Sequence, residues 1–123
     1  MKTTELRLGN FIQDQFGDVI IVDGLDDMDV FSIKHGDIPI YGVDPIPLTE
    51  QWLLDFGFKV KRDFYEKGKL SISSANLKDY YPNGRVYYNS WAIVESQPKY
   101  VHQLQNLYFA LAQEELILKE RTL

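Results

Sequence analysis

A segment rich in lysine and tyrosine lies in the middle of the chain, between residues 58 and 88. Seven of its side chains are candidates for holding a ligand together: Lys59, Lys61, Lys69, Tyr80, Tyr81, Arg85 and Tyr87. Aromatic rings stack on bases and cations pair with phosphates, so a sheet that carries both can bind a nucleotide or single-stranded nucleic acid. Two structural explanations compete with this one. The lysines could keep strand faces soluble while the tyrosines pack by their rings, or the segment could complement an acidic N-terminal lobe.

The C-terminal stretch YVHQLQNLYFALAQEEL, residues 100–116, carries a second candidate surface. Its apolar side chains fall within roughly 140° of arc at 100° per residue, which predicts a helix packed on a sheet. They are Tyr100, Val101, Leu104, Leu107, Tyr108 and Leu111. Phe109 projects on the far side with His102, Gln105 and Asn106. An aromatic anchor among amides is typical of a site for another protein, including a second copy of this chain, although coverage of Phe109 by its own chain explains the same pattern.

Sequence patterns for catalysis are scarce. The chain has no phosphate-binding glycine loop, no G-x-S-x-G nucleophile motif and no cysteine. Its two histidines, His35 and His102, do not form a metal-binding pair by spacing. The acidic run DGLDDMD at residues 23–29 fails the EF-hand pattern, because its glycine is second instead of sixth. We therefore expect a protein that is not an enzyme and has neither a cofactor nor a metal site.

Charge is distributed unevenly along the 123 residues, whose formal net charge is −5. Residues 1–57 carry three basic and eleven acidic side chains, whereas residues 58–85 carry seven basic and three acidic ones. The overall balance argues against indiscriminate nucleic-acid binding, because phosphate contacts need local positive charge. No apolar run approaches the roughly 20 residues that span a bilayer, and the first residues do not resemble a signal peptide. These features predict a cytoplasmic protein without a membrane partner.

Short β-prone runs separated by turn residues fill the first 48 positions. LGNFIQD, VIIVDGL, VFSIKHG and IPIYGV predict a small antiparallel sheet or, if it curls, an SH3-like barrel. Thr49 is then a good N-cap for a short helix that begins at Glu50 and stops at Gly57. This helix links the first lobe to the rest of the chain.

The remainder predicts a second antiparallel sheet and a final helix. Phe58, Val60 and Phe64 alternate with charged residues and are expected on one buried face, in a hairpin that turns near Lys67 and Gly68. The NG dipeptide of YYPNGRVYY predicts another hairpin, and the serine of ESQP a cap for the last helix.

The fold class that follows is α+β. We expect one domain over residues 1–123 with two lobes. The first, over about residues 1–48, is a β lobe. The second, over about residues 49–123, contains the linking helix, the second sheet and the C-terminal helix packed on it.

Three blocks of the sequence, in order, are ELRLGN, IPLTEQWLLDFGF and YVHQLQNLYFALAQEEL. They resemble a family of short proteins, of uncharacterised activity, from Bacteroides-type bacteria and their phages and prophages, and their order and spacing match over residues 5 to about 118. The C-terminal block is the most specific. The family often has Thr-Gly where this chain has Ala112-Gln113, so the last helix is expected to end differently here. The resemblance implies a mobile-element setting and, if the gene is carried by a phage, a location in the host cytoplasm.

Two functions are consistent with these patterns. The first is a small non-enzymatic accessory protein, phage or mobile-element encoded, that binds another protein as an inhibitor of a host system or as an assembly factor. The alternative is a binding module for a nucleotide or single-stranded nucleic acid, through the tyrosine-rich segment 58–88.

Overall fold

The computed structural model describes residues 1–73, 86–94 and 98–119, and it divides the chain into two compact units. The first unit comprises residues 1–47 and 100–106, and the second comprises residues 48–99 and 107–122. Both units are built from antiparallel sheets, and the chain also forms a short helix and a C-terminal helix. The fold class is therefore α+β, as predicted. The first turns of the C-terminal helix belong to the first unit, although the sequence pattern assigned the whole helix to the second lobe.

The first unit is a strand meander that bends on itself. Its strands are β1 (Phe11–Asp14), β2 (Val19–Ile21), β3 (Gly24–Leu25), β4 (Asp29–Ser32), β5 (Gly36–Pro39) and β6 (Val43–Asp44). They form two antiparallel sheets, in the orders β2-β1-β6 and β3-β4-β5. Hydrogen bonds from Val22 N to Asn10 O (2.9 Å) and from Asp23 N to Phe31 O (2.8 Å) extend the β1–β2 and β3–β4 pairings into the segment that joins β2 to β3. The two sheets are therefore parts of one curved structure.

One apolar core fills the bend of this meander. Its buried residues are Leu6, Ile12, Ile20, Val22, Val30 and Val43. Ile12 and Ile20 are register partners across β1 and β2, so their side chains lie on the same face. The first strand also pairs with the last one, β6, and this pairing lets a sheet close toward a barrel. The two three-stranded antiparallel sheets agree with the predicted small antiparallel sheet, whereas closure into an SH3-like barrel stays a prediction.

The linking helix α1 (Glu50–Asp55) begins at the predicted residue. The Thr49 side-chain oxygen accepts a hydrogen bond from the backbone N–H of Trp52 at 3.4 Å, as an N-cap should. Trp52 and Leu53 are buried in the second unit. Gly57 has a φ of 92°, which glycine adopts at no steric cost, and it stops the helix.

The second unit contains a five-stranded antiparallel sheet of order β11-β10-β9-β8-β7. The strands are β7 (Lys59–Lys61), β8 (Phe64–Lys67), β9 (Leu70–Ser73), β10 (Val86–Tyr88) and β11 (Trp91–Val94). Tyr65, Ile72 and Val86 are register partners and fully buried, so they define the core face of the sheet. Phe58 is buried as expected. Val60 is exposed, because it lies on the edge strand β7.

Two hairpin turns decide which side chains share a face of this sheet. The turn expected near Gly68 is present between β8 and β9. A second turn, at Arg62 and Asp63, was not predicted: Arg62 has a φ of 57°, and Lys61 pairs with Phe64. Phe64 therefore lies on the same face as Lys61 and not on the buried face that simple alternation predicted.

The C-terminal helix α2 (Val101–Ala112) contributes to both units. Val101 and Leu104 are fully buried, as the apolar stripe predicts. The helix stops at Gln113, whose φ of 58° is left-handed and whose backbone N–H donates to the Phe109 carbonyl at 2.8 Å. The predicted cap at Ser96 and the predicted NG hairpin lie outside the described residues.

The second half of α2 packs within the second unit. Tyr108 is buried there, and the Tyr88 hydroxyl donates a hydrogen bond to the Leu111 carbonyl at 3.2 Å. Beyond the helix, the backbone N–H of Lys119 donates to the Asp55 carbonyl at 2.7 Å and ties this segment to α1. Among the described residues, no helix has the length and apolarity needed to cross a membrane.

Candidate functional site

One face of the second unit's sheet collects the basic and aromatic residues that the sequence pointed to. Lys59 is the register partner of Glu66, and Ser71 is the partner of both Glu66 and Tyr87. Directly opposed residues project on the same side, and so do residues two apart on a strand. The open sheet face therefore includes Lys59, Lys61, Phe64, Glu66, Ser71 and Tyr87.

A concavity of about 480 Å³ lies on this open sheet face. Its walls include Phe64, Glu66, Lys69, Ser71, Tyr87 and Asn89. The rings of Phe64 and Tyr87 meet edge to face, with centroids 5.8 Å apart and planes at 81°. This arrangement is favourable for aromatic pairs, and both side chains remain half-buried, so ring surface is available to a ligand.

Among the described residues that line the concavity, Glu66 is the acidic one. Its Oε1 accepts a hydrogen bond from the Ser71 hydroxyl at 3.2 Å, and its Oε2 lies 3.8 Å from the Lys61 ammonium. The lysine side chain is 75% exposed, so this ion pair contributes little stability. The carboxylate is thus held in place by Ser71 and keeps the capacity to accept further hydrogen bonds.

The structure brings together part of the predicted ligand-binding set. Lys59, Lys61 and Tyr87 lie on the open sheet face, and Lys69 lines the concavity. The other three members, Tyr80, Tyr81 and Arg85, lie outside the described residues. Sequence reasoning missed Phe64, Glu66, Ser71 and Asn89. A prediction of a two-residue turn at Arg62-Asp63 would have put Phe64 and Glu66 on the same face as Lys59 and Lys61.

The amides of α2 serve a purpose that the sequence did not predict. Gln105 Oε1 accepts a hydrogen bond from the backbone N–H of Phe11 at 2.8 Å, and its Nε2 donates to the Gly9 carbonyl at 3.0 Å. Asn106 Oδ1 accepts from Asn10 Nδ2 at 2.8 Å, and Asn106 Nδ2 donates to the Glu5 carbonyl at 3.2 Å. We call Asn10, Gln105 and Asn106 the amide cluster.

This amide cluster satisfies the backbone of the N-terminal segment. Buried N–H and C=O groups must find partners, and the segment before β1 has few strand neighbours to supply them. Asn10 and Gln105 are buried within the first unit. The expectation that Gln105 and His102 flank an outward-facing anchor is therefore corrected, since both are buried in the first unit. Phe109 belongs to the second unit and is 39% exposed, so its role as a partner anchor stays a prediction.

His102 is a buried histidine with an unusual environment. Its ring stacks on Tyr100, with centroids 6.0 Å apart and planes at 8°, and within the described residues its Nδ1 has no hydrogen-bond partner. Burial lowers the pKa of His102 because the charged imidazolium loses hydration. The Glu5 carboxylate opposes this shift and the N-terminal ammonium adds to it. The neutral form is thus favoured in the folded state.

The outer surface of the first unit exposes apolar side chains that the sequence analysis did not single out. Val30 and Ser32 of β4 point into the unit, while Phe31 and Ile33 point out, so a polar residue is inside and two large apolar ones are outside. A hollow of about 180 Å³ lies beside Ile33. We call Val19, Ile21 and Ile33, which line it, the apolar patch. The remaining walls are formed by Asp23, Ser32, Lys34 and His35. The VFSI sequence at residues 30–33 was the available signal for these exposed residues, because apolar side chains occur there on both faces of a strand.

The acidic run at residues 23–29 contains strand β3 and the tight turn that leads into β4. Asp26 Oδ1 accepts hydrogen bonds from the backbone N–H groups of Met28 (2.9 Å) and Asp29 (2.7 Å), which lower the pKa of Asp26. Asp23 Oδ2 likewise accepts from the Ile33 N–H at 2.7 Å. In the parts of the chain that the structure describes, no three His, Asp or Glu side chains are grouped so that they could hold a metal ion.

Comparison with known proteins adds no relative. No family model matches this chain, and no similar sequence among curated proteins and no similar solved structure was found. The open sheet face and the apolar patch are therefore the features of this chain that bear on its function.

Proposed function

We propose that this protein is a small non-enzymatic accessory protein, encoded by a phage or other mobile element, that acts by binding another protein. Its role would be to inhibit a host system or to assist an assembly, in the host cytoplasm. The observation that carries the proposal is the outward orientation of apolar side chains along and just after β4. Ile33, the residue after the strand, is 80% exposed and lines the same hollow as Ile21. Exposed apolar patches with a polar rim commonly mark protein-binding surfaces.

Charge indicates the kind of partner. Residues 1–47 carry nine acidic and three basic side chains. Asp23 lines the hollow beside the apolar patch together with one basic residue, Lys34, and Asp18 precedes Val19 in the chain. A partner with apolar side chains among lysines or arginines would bury the patch and meet the acidic surroundings with opposite charge. We therefore propose a basic, amphipathic segment of another protein as the occupant.

Two isoleucines supply a matched pair of variants for the test. Ile33 is 80% exposed in the first unit, and Ile117 is 75% exposed in the second. The probe is a synthetic peptide in which leucine alternates with lysine, and the readout is the change in backbone amide NMR shifts on titration. We expect changes centred on Val19, Ile21 and Ile33 that vanish in Ile33→Ser and persist in Ile117→Ser.

Three outcomes would contradict this proposal. Equal changes in the two variants would show that the apolar patch is not the site. Equal changes with a peptide in which glutamate replaces lysine would remove the charge argument. A peptide affinity that falls with salt concentration as steeply as the affinity of proteins for nucleic-acid phosphates would indicate that apolar contacts do not dominate.

A further inference from the structure

We infer that the concavity on the open sheet face of the second unit is a binding site for guanine carried by a 5′-phosphate, as a free nucleotide or within a single strand. This site is distinct in residues and chemistry from the apolar patch proposed for protein binding. Four features carry the inference: the aromatic pair, the position of a carboxylate, the lysines around it and the size of the space.

The aromatic pair supplies a stacking surface. Phe64 and Tyr87 both line the concavity, and their edge-to-face contact fixes the orientation of the two rings. Bases stack on such rings largely independently of their identity, so this part of the site binds any base. Selectivity must come from a polar group at the edge of the base.

Glu66 is that polar group, and its chemistry favours guanine. A carboxylate only accepts hydrogen bonds, and the Ser71 hydroxyl already orients one of its oxygens. Guanine presents two neighbouring donors on its Watson–Crick edge, the N1–H and the N2 amino group, which match two carboxylate oxygens. Adenine, cytosine and uracil each place an acceptor beside their donor, and that acceptor would face the negative charge. A carboxylate beside the aromatic pair therefore discriminates for guanine.

The lysines indicate where the phosphate lies. Lys69 lines the concavity, and Lys59 and Lys61 project from the neighbouring strand β7 on the same face as Glu66. These three positive charges would repel a cationic ligand. A nucleotide instead places its base against Glu66 and its negatively charged phosphate against the lysines. The space of about 480 Å³ lies within the usual range for small-molecule sites.

The test is a set of equilibrium titrations with defined ligands. Calorimetry at low salt compares GMP with AMP, CMP and UMP, and compares GMP with guanosine. The oligoribonucleotides UUGUU and UUAUU distinguish a strand from a free nucleotide as the source of the base. We expect GMP to bind at least about tenfold more tightly than AMP, which corresponds to one bidentate contact. Tighter binding of UUGUU than of both GMP and UUAUU would identify single strands as the source.

Variants separate the roles of the individual groups. Glu66→Gln should remove the preference for guanine, and Glu114→Gln, with the same change of charge at an exposed position in the same unit, should retain it. Lys69→Gln should weaken GMP but leave guanosine unchanged. Tyr87→Leu should weaken all nucleotides together. Thermal melting of each variant confirms that it is folded.

Two results would overturn the inference. One is the same affinity for GMP, AMP, CMP and UMP, since stacking and charge without base recognition would explain it. The other is no heat of binding for GMP or UUGUU at millimolar ligand with the folded wild-type protein. Neither result bears on the apolar patch, because the peptide titration reports on residues of the first unit.

Discussion

The side-chain oxygen of Gln105 accepts a hydrogen bond from the backbone N–H of Phe11 at 2.8 Å, across a separation of 94 positions in the chain. The amide nitrogen of the same side chain donates to the Gly9 carbonyl at 3.0 Å. One glutamine thus pairs with two backbone groups where the N-terminal segment enters β1. The contact with Phe11 is buried, so water cannot replace it, whereas the contact with Gly9 is only partly buried.

Replacement of Gln105 by leucine should therefore destabilise the fold. Leucine has a similar volume but removes the acceptor of the buried Phe11 N–H, and a buried polar group that loses its partner costs about 1–3 kcal/mol. Chemical denaturation measures the loss as a lower midpoint. Gln15→Leu, at an exposed position of the same unit, should stay within about 0.5 kcal/mol of wild type. Similar midpoints for the two variants would show that the amide contacts contribute little.

The buried His102 should make the stability of the protein depend on pH. Burial lowers the pKa of His102 in the folded state, whereas the unfolded chain takes up the proton near the ordinary value of 6.5. The unfolded state therefore binds more protons just below that value. By linkage, the free energy of unfolding falls as the pH is lowered from neutrality through the folded-state pKa.

His102→Gln tests this relationship because glutamine does not titrate. Its free energy of unfolding, measured in denaturant at a series of pH values, should decrease less steeply with acid than that of wild type. His35→Gln is the control, since His35 is exposed in the same unit. A slope in His102→Gln as steep as in wild type would assign the acid sensitivity to other groups.

The end of α2 offers a stabilising substitution. Gln113 has a φ of 58°, a left-handed conformation in which a side chain is strained and glycine is not. Gln113→Gly should raise the free energy of unfolding by about 0.5–1 kcal/mol, because the relieved strain exceeds the entropy cost of glycine. Ala110→Gly, inside the same helix, should instead lower it by about 1 kcal/mol. Thermal melting that moves both variants downward would contradict the assignment of strain to Gln113.

Phe109 distinguishes a surface role from a core role. At 39% exposure, Phe109→Ala should cost less folding stability than the roughly 3–5 kcal/mol of a fully buried phenylalanine. If a second copy of the chain binds there, the substitution should weaken self-association by about 2 kcal/mol, some thirtyfold in dissociation constant. Sedimentation equilibrium and denaturant melts measure the two quantities on the same samples. A large loss of stability without any change in self-association would assign Phe109 to the core.

Short-range signals in the sequence were sufficient for several elements. Thr49 caps the start of α1 and Gly57 ends the helix. Both could be predicted because capping and stopping a helix involve backbone groups only a few residues away. The apolar stripe that includes Val101 and Leu104 predicted the buried face of α2 for the same reason, since helical periodicity is a local property. The antiparallel strand pattern and the α+β class follow from equally local alternation and turn residues.

The candidate sites were decided by tertiary structure. Phe64 lies on the same face as the lysines because the chain turns at Arg62, which the sequence pattern did not predict. A shift of one position in a strand moves every later side chain to the other face of the sheet. Ile33 is exposed and Ser32 buried because the bend of the meander determines which side of β4 faces the core. Gln105 contacts Phe11 only after the chain has folded. The sequence by itself determined which elements form, through interactions over a few residues. Which faces those elements present depended on contacts between distant residues, which no local pattern encodes.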